Sequence, residues 1–317
     1  MNEAGAPRYR ILFVDDEARI TRALRALFRD HDVHSTNDPR EAAKLAAAHD
    51  VDVVICDQRM PQMLGADCLR EIRHLAPRAM RILLTGYADL KAVLGSVNDG
   101  EVYRFVSKPW DNRELREIVA EAAVIAREAP VVSEAPISAV EHEAARAQVG
   151  VLVIEDDIGV QQRLREILSP YYQVRFANTP ERALQILEQH ETGVVISETE
   201  VGDADMTSLL KALKQYHPHI ATVVITERAN AQLAIDLINE GQVYRMLLKP
   251  VRMGSCRLSI DSAIGRYWQL KQSPAAVRRF AASRNAGANL AVARLGDALL
   301  TRIRTIPSRI FAIARFS

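Results

Sequence analysis

The sequence has few cysteines, no long apolar run and almost no net charge, and each shortage excludes a class of protein. Three cysteines, Cys56, Cys68 and Cys256, are too few and too scattered for a disulfide framework or a metal site, which suggests a reducing cytoplasm. No apolar stretch approaches the roughly 20 residues that a membrane-spanning helix needs. The first ten residues also lack the apolar core of a signal peptide. A formal net charge of +1 argues against a chain devoted to nucleic acid. We therefore expect a cytoplasmic protein.

A duplicated unit is the most informative feature that the sequence contains. The 317 residues suffice for two domains, each with its own core. Motifs of the first half recur in the same order, 140 residues later at the first one and 141 residues later at the others. The matching segments are 11–16 with 151–156, 53–57 with 194–198, 82–85 with 223–226, 100–104 with 241–245, and 108–109 with 249–250. The chain is therefore a tandem repeat, with one residue gained in the second copy.

Each copy alternates short apolar runs with amphipathic stretches. In the first copy the runs are 11–14, 51–56, 82–84 and 103–106, with a weaker one at 33–36. Their length and near-continuous apolarity are typical of parallel strands that are covered on both faces. Apolar residues at helical spacing lie between them, which predicts helices on both sides of a sheet. The fold class is therefore α/β, with five strands and five helices in each copy.

Composition sets the predicted boundaries of four segments. The first domain occupies residues 8–129, a linker rich in Ala, Glu and Pro occupies 130–148, and the second domain occupies 149–271. The later part of the linker is predicted to form a helix. Residues 272–317 form a basic tail, with eight arginines and one acidic residue from Pro274 onward. Its apolar residues fall at steps of three and four, which predicts an amphipathic helix interrupted by Pro307. They are Val292, Leu295, Leu299, Ile303, Ile306, Ile310 and Ile313.

Polar side chains stand at the ends of the predicted strands in the first copy. Asp15 and Asp16 end the first strand, and Asp57, Thr85 and Lys108 end the third, fourth and fifth. The carboxyl ends of parallel strands form one crevice, so we expect these five side chains to converge. Three close carboxylates repel one another unless a cation lies among them, and Mg²⁺ prefers such oxygen ligands. A hydroxyl and an ammonium could then bind the oxygens of a transferred phosphoryl group.

With these motifs, each copy resembles a receiver domain of bacterial response regulators, over roughly residues 8–271. The resemblance implies two doubly wound, flavodoxin-like (βα)5 domains with strand order 2-1-3-4-5. Residues 58–61, 84–88 and 103–110 further resemble the receivers of regulators of the hydrogenase-regulator kind. By this resemblance, Asp57 accepts a phosphoryl group from the phosphohistidine of a sensor histidine kinase or a phosphotransfer protein.

The same resemblance implies a role for each neighbour of Asp57. Asp15, Asp16 and Asp57 would hold Mg²⁺ together with the backbone carbonyl of Arg59. Thr85 would bond a phosphoryl oxygen and Lys108 would pair with the phosphate charge. Phe105 stands where the family carries a rotating aromatic switch, and a plain core aromatic of the fifth strand is an equal alternative for this position.

The second copy departs from the pattern at its acceptor position. It keeps Glu155, Asp156, Thr226 and Lys249, but Glu198 stands where the first copy has Asp57. The extra methylene moves the carboxylate by about 1.5 Å, and in-line transfer tolerates such a shift poorly. We therefore predict a degenerate pseudo-receiver. Three hypotheses remain open for it: a docking or dimerising scaffold, a fixed imitation of the phosphorylated state beside Lys249, and residual phosphorylation.

The leading functional hypothesis is a response regulator without an enzymatic output domain. It would act by protein–protein contact, through the surface around helix four, strand five and helix five or through the tail, with a downstream protein or a second copy of itself. The only catalysis expected is self-catalysed phosphorylation and dephosphorylation of Asp57. Two alternatives use the basic tail. One is a DNA-binding transcriptional regulator, which is disfavoured because no helix pair around a short turn is evident. The other is a scaffold recruited to an anionic membrane surface.

Overall fold

The computed structural model describes residues 7–86, 102–131, 138–227, 231–241, 243–280 and 297–306. In the first copy the strands are β1 (Arg10–Val14), β2 (Asp32–Thr36), β3 (Val53–Asp57), β4 (Met80–Thr85) and β5 (Arg104–Ser107). The helices described there are α1 (Ala18–Leu27), α2 (Pro39–Ala48), α3 (Gly65–Leu75) and α4 (Asn112–Glu128). The strands form one parallel sheet in the order β2-β1-β3-β4-β5, which confirms the predicted fold class. The remaining helix predicted for this copy lies outside the described residues.

The core of the first copy explains why its central strands are apolar throughout. Side chains that alternate along β1, such as Ile11 and Phe13, pack with Leu24 of α1 and Leu115 of α4 on one face of the sheet. Both faces of β3 are buried, as a strand in the middle of a parallel sheet requires. Burial on both faces leaves polar side chains of the central strands only at the strand ends, where the candidate site is found.

Side-chain caps fix where two helices of the first copy begin. The carboxylate of Asp38 accepts a hydrogen bond from the amide of Arg40, and Pro39 occupies the first turn of α2. The carboxylate of Asp111 accepts hydrogen bonds from the amides of Arg113 and Glu114 at the start of α4. These caps satisfy amides that have no partner inside the helix. They set the points at which the chain leaves β2 and β5.

The second copy repeats this architecture. Its elements are α5 (Ala139–Gln148), β6 (Gly150–Ile154), α6 (Ile158–Leu168), β7 (Gln173–Ala177), α7 (Pro180–Gln189), β8 (Val194–Ser197), β9 (Glu200–Val201), β10 (Ala204–Asp205), α8 (Met206–Tyr216), β11 (Ala221–Thr226), α9 (Ala231–Gly241), β12 (Arg245–Leu248) and α10 (Met253–Gln272). The large sheet has the order β7-β6-β8-β11-β12, which is the order of the first sheet. Strands β9 and β10 pair as a short hairpin, and an isolated bridge between Arg59 and Leu64 stands at the same place in the first copy.

The helix predicted in the linker is α5, and it packs within the second copy. Its first turn carries a capping box, in which Ser138 and Glu141 satisfy each other's main-chain amides. The guanidinium of Arg146 pairs with Asp261 on α10, with 2.8 Å between Nη2 and Oδ2. Ala145 is fully buried in the core of the second copy. Helix α5 therefore stabilises this copy as an additional element.

The described residues form two compact units whose membership does not follow the repeat boundary. The first unit contains the described residues up to 131, together with 231–239 and 273–280. The second unit contains the described residues from 138 to 227, from 240 to 272 and from 297 to 306. Most of α9 and the segment after α10 thus belong to the first unit, although both follow the first copy in the sequence.

The described part of the tail contains two helical segments. Residues Pro274–Phe280 form a 3₁₀ helix, and α11 spans Asp297–Arg304. Thr305 and Ile306 lie outside α11. Helix α11 thus ends before Pro307, where the sequence predicts an interruption, because a proline disfavours helical geometry at the residue before it. Val292, Leu295, Ile310 and Ile313 of the predicted stripe lie outside the described residues.

Helix α11 lies on the second copy. Ile303 is fully buried, and its carbonyl oxygen lies 2.6 Å from Nε2 of His217. The guanidinium of Arg302 pairs with Glu188, with 2.7 Å between Nε and Oε1. The described part of α11 thus folds back on the second copy. No helix among the described residues combines the length and the apolarity that crossing a membrane requires.

Candidate functional site

Asp15 is the buried carboxylate at the end of β1. Its side chain is 1% exposed, and Oδ1 accepts a hydrogen bond of 2.9 Å from the amide of Glu17. Oδ2 accepts a hydrogen bond of 3.0 Å from the ammonium of Lys108. Burial raises the pKa of Asp15, as does the nearby Asp57, and the Glu17 amide and Lys108 only partly offset this rise. The raised pKa of Asp15 therefore reflects mainly its removal from solvent.

Asp57 ends β3 next to Asp15, and Lys108 lies between the two carboxylates. The Lys108 ammonium is 2.6 Å from Oδ1 of Asp57, while Oδ2 accepts a hydrogen bond of 2.9 Å from the amide of Arg59. Burial lowers the pKa of Lys108, but the two carboxylates outweigh this effect and the net pKa is raised. Lys108 therefore stays charged at neutral pH. The structure brings together these three members of the predicted site.

The other predicted members of the first site lie around this cluster. Thr85 is buried at the end of β4, and its carbonyl oxygen accepts a hydrogen bond of 2.8 Å from the amide of Lys108. Asp16 follows Asp15 and is half-buried. Arg59 contacts Asp57 through its amide, and Phe105 is 2% exposed in β5. These positions agree with one site at the carboxyl edge of the sheet.

The structure pairs two of the three predicted metal-binding carboxylates, Asp15 and Asp57, with the ammonium of Lys108. Among the described residues, no three or more histidine, cysteine, aspartate or glutamate side chains are grouped so that they could hold a metal ion. The Lys108 ammonium balances part of the charge of these carboxylates, whose oxygens are the donors that a hard divalent cation prefers. The backbone carbonyl of Arg59 is the further predicted ligand. The amide of the same residue donates a hydrogen bond to Asp57.

Two residues that support the site were missed in the sequence. Gly65 begins α3 against the main chain of Asp57, where a Cβ atom would overlap the Asp57 carbonyl and come within 2.9 Å of Leu83. Only glycine permits this close approach. The side-chain amide of Asn37 donates a hydrogen bond of 2.6 Å to the carbonyl of Asp15. Each residue is a common turn or cap residue in isolation, so the repeat pattern does not distinguish it.

The second copy has a cluster at the equivalent place, built from glutamates. The Lys249 ammonium lies 2.8 Å from Oε2 of Glu155 and 2.8 Å from Oε2 of Glu198. Burial lowers the pKa of Lys249, but these two carboxylates raise it by more. The Lys249 side chain is 9% exposed, compared with 25% for Lys108, so the second cluster is the more enclosed of the two.

The remaining acceptors of the second cluster are occupied by its own loop. Oε1 of Glu198 accepts hydrogen bonds from the amide and the hydroxyl of Thr199, at 2.8 and 2.9 Å. The Thr199 hydroxyl lies 3.4 Å from that of Thr226. One oxygen of Asp156 accepts a hydrogen bond of 2.8 Å from the amide of Gly202, between β9 and β10. The hairpin thus ties down the carboxylate that corresponds to Asp16.

Sequence comparison finds relatives of each copy. The profile of the response regulator receiver domain matches residues 11–120 and 151–261, which is well over half of the chain. The hydrogenase transcriptional regulatory protein HoxA of Bradyrhizobium diazoefficiens is 36% identical over 118 residues, 37% of this chain and 24% of that protein. The regulatory protein AtoC of Escherichia coli is 38% identical over 115 residues, 36% of this chain and 25% of that protein. The chain thus spans about a quarter of the length of these curated relatives.

A solved structure is similar to part of the chain. The signal receiver domain of an HD domain-containing protein from Pseudomonas fluorescens Pf-5 is 37% identical, covers 40% of this chain and 95% of its own, and has a TM-score of 0.36. The two matched segments coincide with the two sheets and with both lysine-bridged carboxylate clusters. The chain belongs to the response regulator receiver domain family, with two receiver domains in tandem.

Proposed function

We propose that the chain is a response regulator of a two-component phosphorelay, phosphorylated on Asp57 in the first of its two receiver domains. The observation that supports this most is the cluster of Asp15, Asp57 and Lys108 at the carboxyl edge of the first sheet. We assign the first receiver to residues 8–129, the linker to 130–148, the second receiver to 149–271 and the tail to 272–317.

The proposed chemistry is transfer from a phosphohistidine of a sensor kinase or a phosphotransfer protein. A carboxylate oxygen of Asp57 forms a bond to phosphorus as the nitrogen–phosphorus bond breaks, and the electron pair returns to the imidazole nitrogen. The amide of Arg59 orients the carboxylate through its other oxygen. Lys108 then pairs with the phosphoryl charge, and the Thr85 hydroxyl at the end of β4 donates to a phosphoryl oxygen. Phe105 is proposed as the aromatic residue that responds to this change.

We propose Mg²⁺ as the cofactor, held by the carboxylates of Asp15, Asp16 and Asp57 with the carbonyl of Arg59. The oxygen donors suit a hard divalent cation. When bound, the ion supplies positive charge to the oxygens of the phosphoryl group.

The second receiver is proposed not to accept phosphate. Glu198 is engaged through both oxygens, by Lys249 on one side and by Thr199 on the other. Asp57 has an equivalent lysine and an equivalent amide contact, but Glu198 also accepts a hydrogen bond from the Thr199 hydroxyl, and its longer side chain misplaces the attacking oxygen. Of the three hypotheses for this copy, these contacts count against residual phosphorylation.

The output is proposed to be protein–protein contact. The described arginines of the tail contact the chain itself: Arg278 pairs with Glu128, Arg302 pairs with Glu188, Arg304 lies over the ring of Tyr216, and Arg279 is buried. Arginines used in this way are not free to bind DNA phosphates or lipid headgroups. The transcriptional roles in the names of the curated relatives belong to proteins about four times as long as the matched segment.

The stoichiometry of phosphorylation tests the proposal. The full chain is incubated with radiolabelled acetyl phosphate, with Mg²⁺ and with the ion removed by chelation. We expect incorporation to approach one phosphoryl group per chain with Mg²⁺ and to fall at least tenfold without it. Asp57→Asn should abolish incorporation, while the matched variant Glu198→Gln should leave it unchanged. Incorporation that survives in Asp57→Asn would place the acceptor elsewhere.

A further inference from the structure

In the first compact unit, the side chain of Asn239 is hydrogen-bonded to both the amide and the carbonyl of Phe105, at the edge of the first sheet. The side-chain amide of Asn239, near the end of α9, donates a hydrogen bond of 2.9 Å to the carbonyl of Phe105. Its carbonyl oxygen accepts a hydrogen bond of 2.9 Å from the amide of Phe105. A side-chain amide offers one donor group and one acceptor in this arrangement, so the pair of bonds imitates those of a neighbouring strand.

The strand that receives these bonds is a sheet edge. Strand β5 stands at the end of the first sheet and pairs with β4 alone. An edge strand presents main-chain donors and acceptors that other segments can bind. Phe105 is nevertheless 2% exposed and Arg104 is 3% exposed. A polar side chain such as that of Arg104 is seldom so buried in an edge strand that faces water. The edge is thus covered, and Asn239 identifies α9 as a segment that covers it.

The covered edge is directly connected to the acidic pocket of the first receiver. Phe105 and Lys108 are three residues apart on the same short segment. The Lys108 ammonium bridges Asp15 and Asp57, and its amide is bonded to the carbonyl of Thr85. Addition of a phosphoryl group to Asp57 changes the partners of the Lys108 ammonium. A displacement of Lys108 reaches Phe105 through a strand of only four residues.

We propose that the edge of β5 is a docking surface whose partner is helix α9 of the same chain, and that the docking of α9 responds to phosphorylation of Asp57. This inference rests on the proposed function. Asn239 acts as the positioning residue, because its two bonds depend on where the main chain of Phe105 lies. By thermodynamic linkage, a phosphoryl group that alters the docking of α9 must itself be stabilised or destabilised by that docking.

Hydrogen–deuterium exchange on the full chain tests the docking without phosphorylation. In the wild type we expect the Phe105 amide to be protected, because Asn239 accepts its hydrogen bond. Asn239→Ala should speed its exchange about tenfold, the factor that corresponds to roughly one net hydrogen bond. The matched control is Gln232→Ala, because Gln232 is exposed on the same helix and donates to Asp236 one turn away. Exchange at Phe105 that is equal in the wild type and in Asn239→Ala would overturn the docking.

A second arm tests the response to phosphorylation. Acetyl phosphate and Mg²⁺ are added, and the label on Asp57 is quantified in the same samples. We expect exchange in 231–241 to change at least threefold in the labelled wild type and in Gln232→Ala, and to stay constant in Asp57→Asn. Asn239→Ala should still be labelled but should lose most of the change. Full labelling with no change in 231–241 would refute the inference and leave the proposed function intact, whereas an absence of label would refute both.

Discussion

The ammonium of Lys249 lies 2.8 Å from a carboxylate oxygen of Glu198, and the first copy has Lys108 2.6 Å from Asp57 at the equivalent place. The two receivers thus keep the same ion pair between strand ends while they differ in the length of the acidic side chain. In the second copy, Thr199 binds the other oxygen through both its amide and its hydroxyl. The ion pair is therefore conserved between the two repeats, but the acidic side chain of the second repeat is longer and has additional hydrogen bonds.

Restoring the shorter acid should not restore phosphorylation of the second receiver. In an Asp57→Asn background, we expect Glu198→Asp to incorporate no label from acetyl phosphate with Mg²⁺. The hairpin of β9 and β10 still binds Asp156 through the Gly202 amide, so the carboxylate that corresponds to Asp16 remains occupied. Intact-protein mass spectrometry checks this outcome, with Asp57→Asn alone as the control. Label at residue 198 would show that side-chain length is the whole barrier.

Gly65→Ala should disturb the first receiver at the main chain of Asp57. The added methyl group would overlap the carbonyl of Asp57, and backbone atoms cannot move aside cheaply. We expect the free energy of unfolding of the first receiver to fall by about 1–3 kcal/mol and phosphorylation to slow at least tenfold. Denaturation followed by Trp110 fluorescence in a Trp268→Phe background measures the first copy alone.

Gly254→Ala is the matched control for this substitution. A Cβ atom at position 254, in the first turn of α10, meets no atom within 4 Å. We expect its unfolding curve and its phosphorylation rate to equal those of the parent chain. A Gly65→Ala variant that behaves like this control would mean that the close approach to Asp57 is unimportant.

Ionisation of Asp52 should determine how the stability of the first receiver falls at acid pH. Its carboxylate is fully buried, and it pairs with Arg127 at 2.7 Å and with Arg78 at 2.9 Å. Burial raises its pKa, but Arg127, the amide of Arg10 and Arg78 outweigh this effect, so the net pKa lies below the ordinary 3.8. A carboxyl with a lowered pKa contributes stability above pH 3.8, and the contribution disappears as the pH falls through the folded-state pKa.

Asp52→Asn should therefore destabilise the first receiver at neutral pH by about 3 kcal/mol. The difference between the variant and the parent should shrink as the pH falls below 3.8. Denaturation curves of both proteins between neutral pH and the lowest pH at which they fold provide the measurement. A difference that is the same at every pH would show that Asp52 contributes by packing and not by its charge.

Arg279, which follows the second copy in the sequence, should stabilise the first compact unit. Its guanidinium donates to the carbonyls of Ala129, Pro77 and Arg78, at 3.3, 3.1 and 2.7 Å. Burial lowers its pKa to about 10, so it remains charged at neutral pH. We expect Arg279→Ala to lower the free energy of unfolding by about 2 kcal/mol, because three carbonyls lose a donor.

The neighbouring arginine is the matched control for Arg279. Arg278 pairs with Glu128 at 2.7 Å, and both side chains are more than half exposed. Exposed ion pairs contribute little to stability, so Arg278→Ala should leave the unfolding curve nearly unchanged. Equal unfolding curves for the two variants would contradict a structural role of Arg279.

Much of the fold was predictable from the sequence because the signals are local and repeated. Apolar runs at β1, β3 and β4 identify buried parallel strands, and polar residues that end them must meet at one edge. The proximity of Asp15, Asp57 and Lys108 follows from that rule alone. The internal repeat then located the second site, including the Glu198 substitution.

The features of the fold and the site that were not predicted depend on contacts that leave no periodic pattern in the sequence. The approach of Gly65 to Asp57 and the bonds of Asn239 to Phe105 join residues whose neighbours in the sequence do not indicate the partner. The burial of Arg279 is a further case, because a basic tail predicts exposed arginines.

Peptide mass spectrometry after phosphotransfer is the most direct test of the central claim, that the first receiver carries the phosphoryl group on Asp57. The wild-type chain is treated with a phosphohistidine donor and Mg²⁺, digested and mapped, beside Asp57→Asn. We predict a single modified site, at Asp57, and no modification in the variant. A modification found at another residue, or one that persists at full level in Asp57→Asn, would contradict the account.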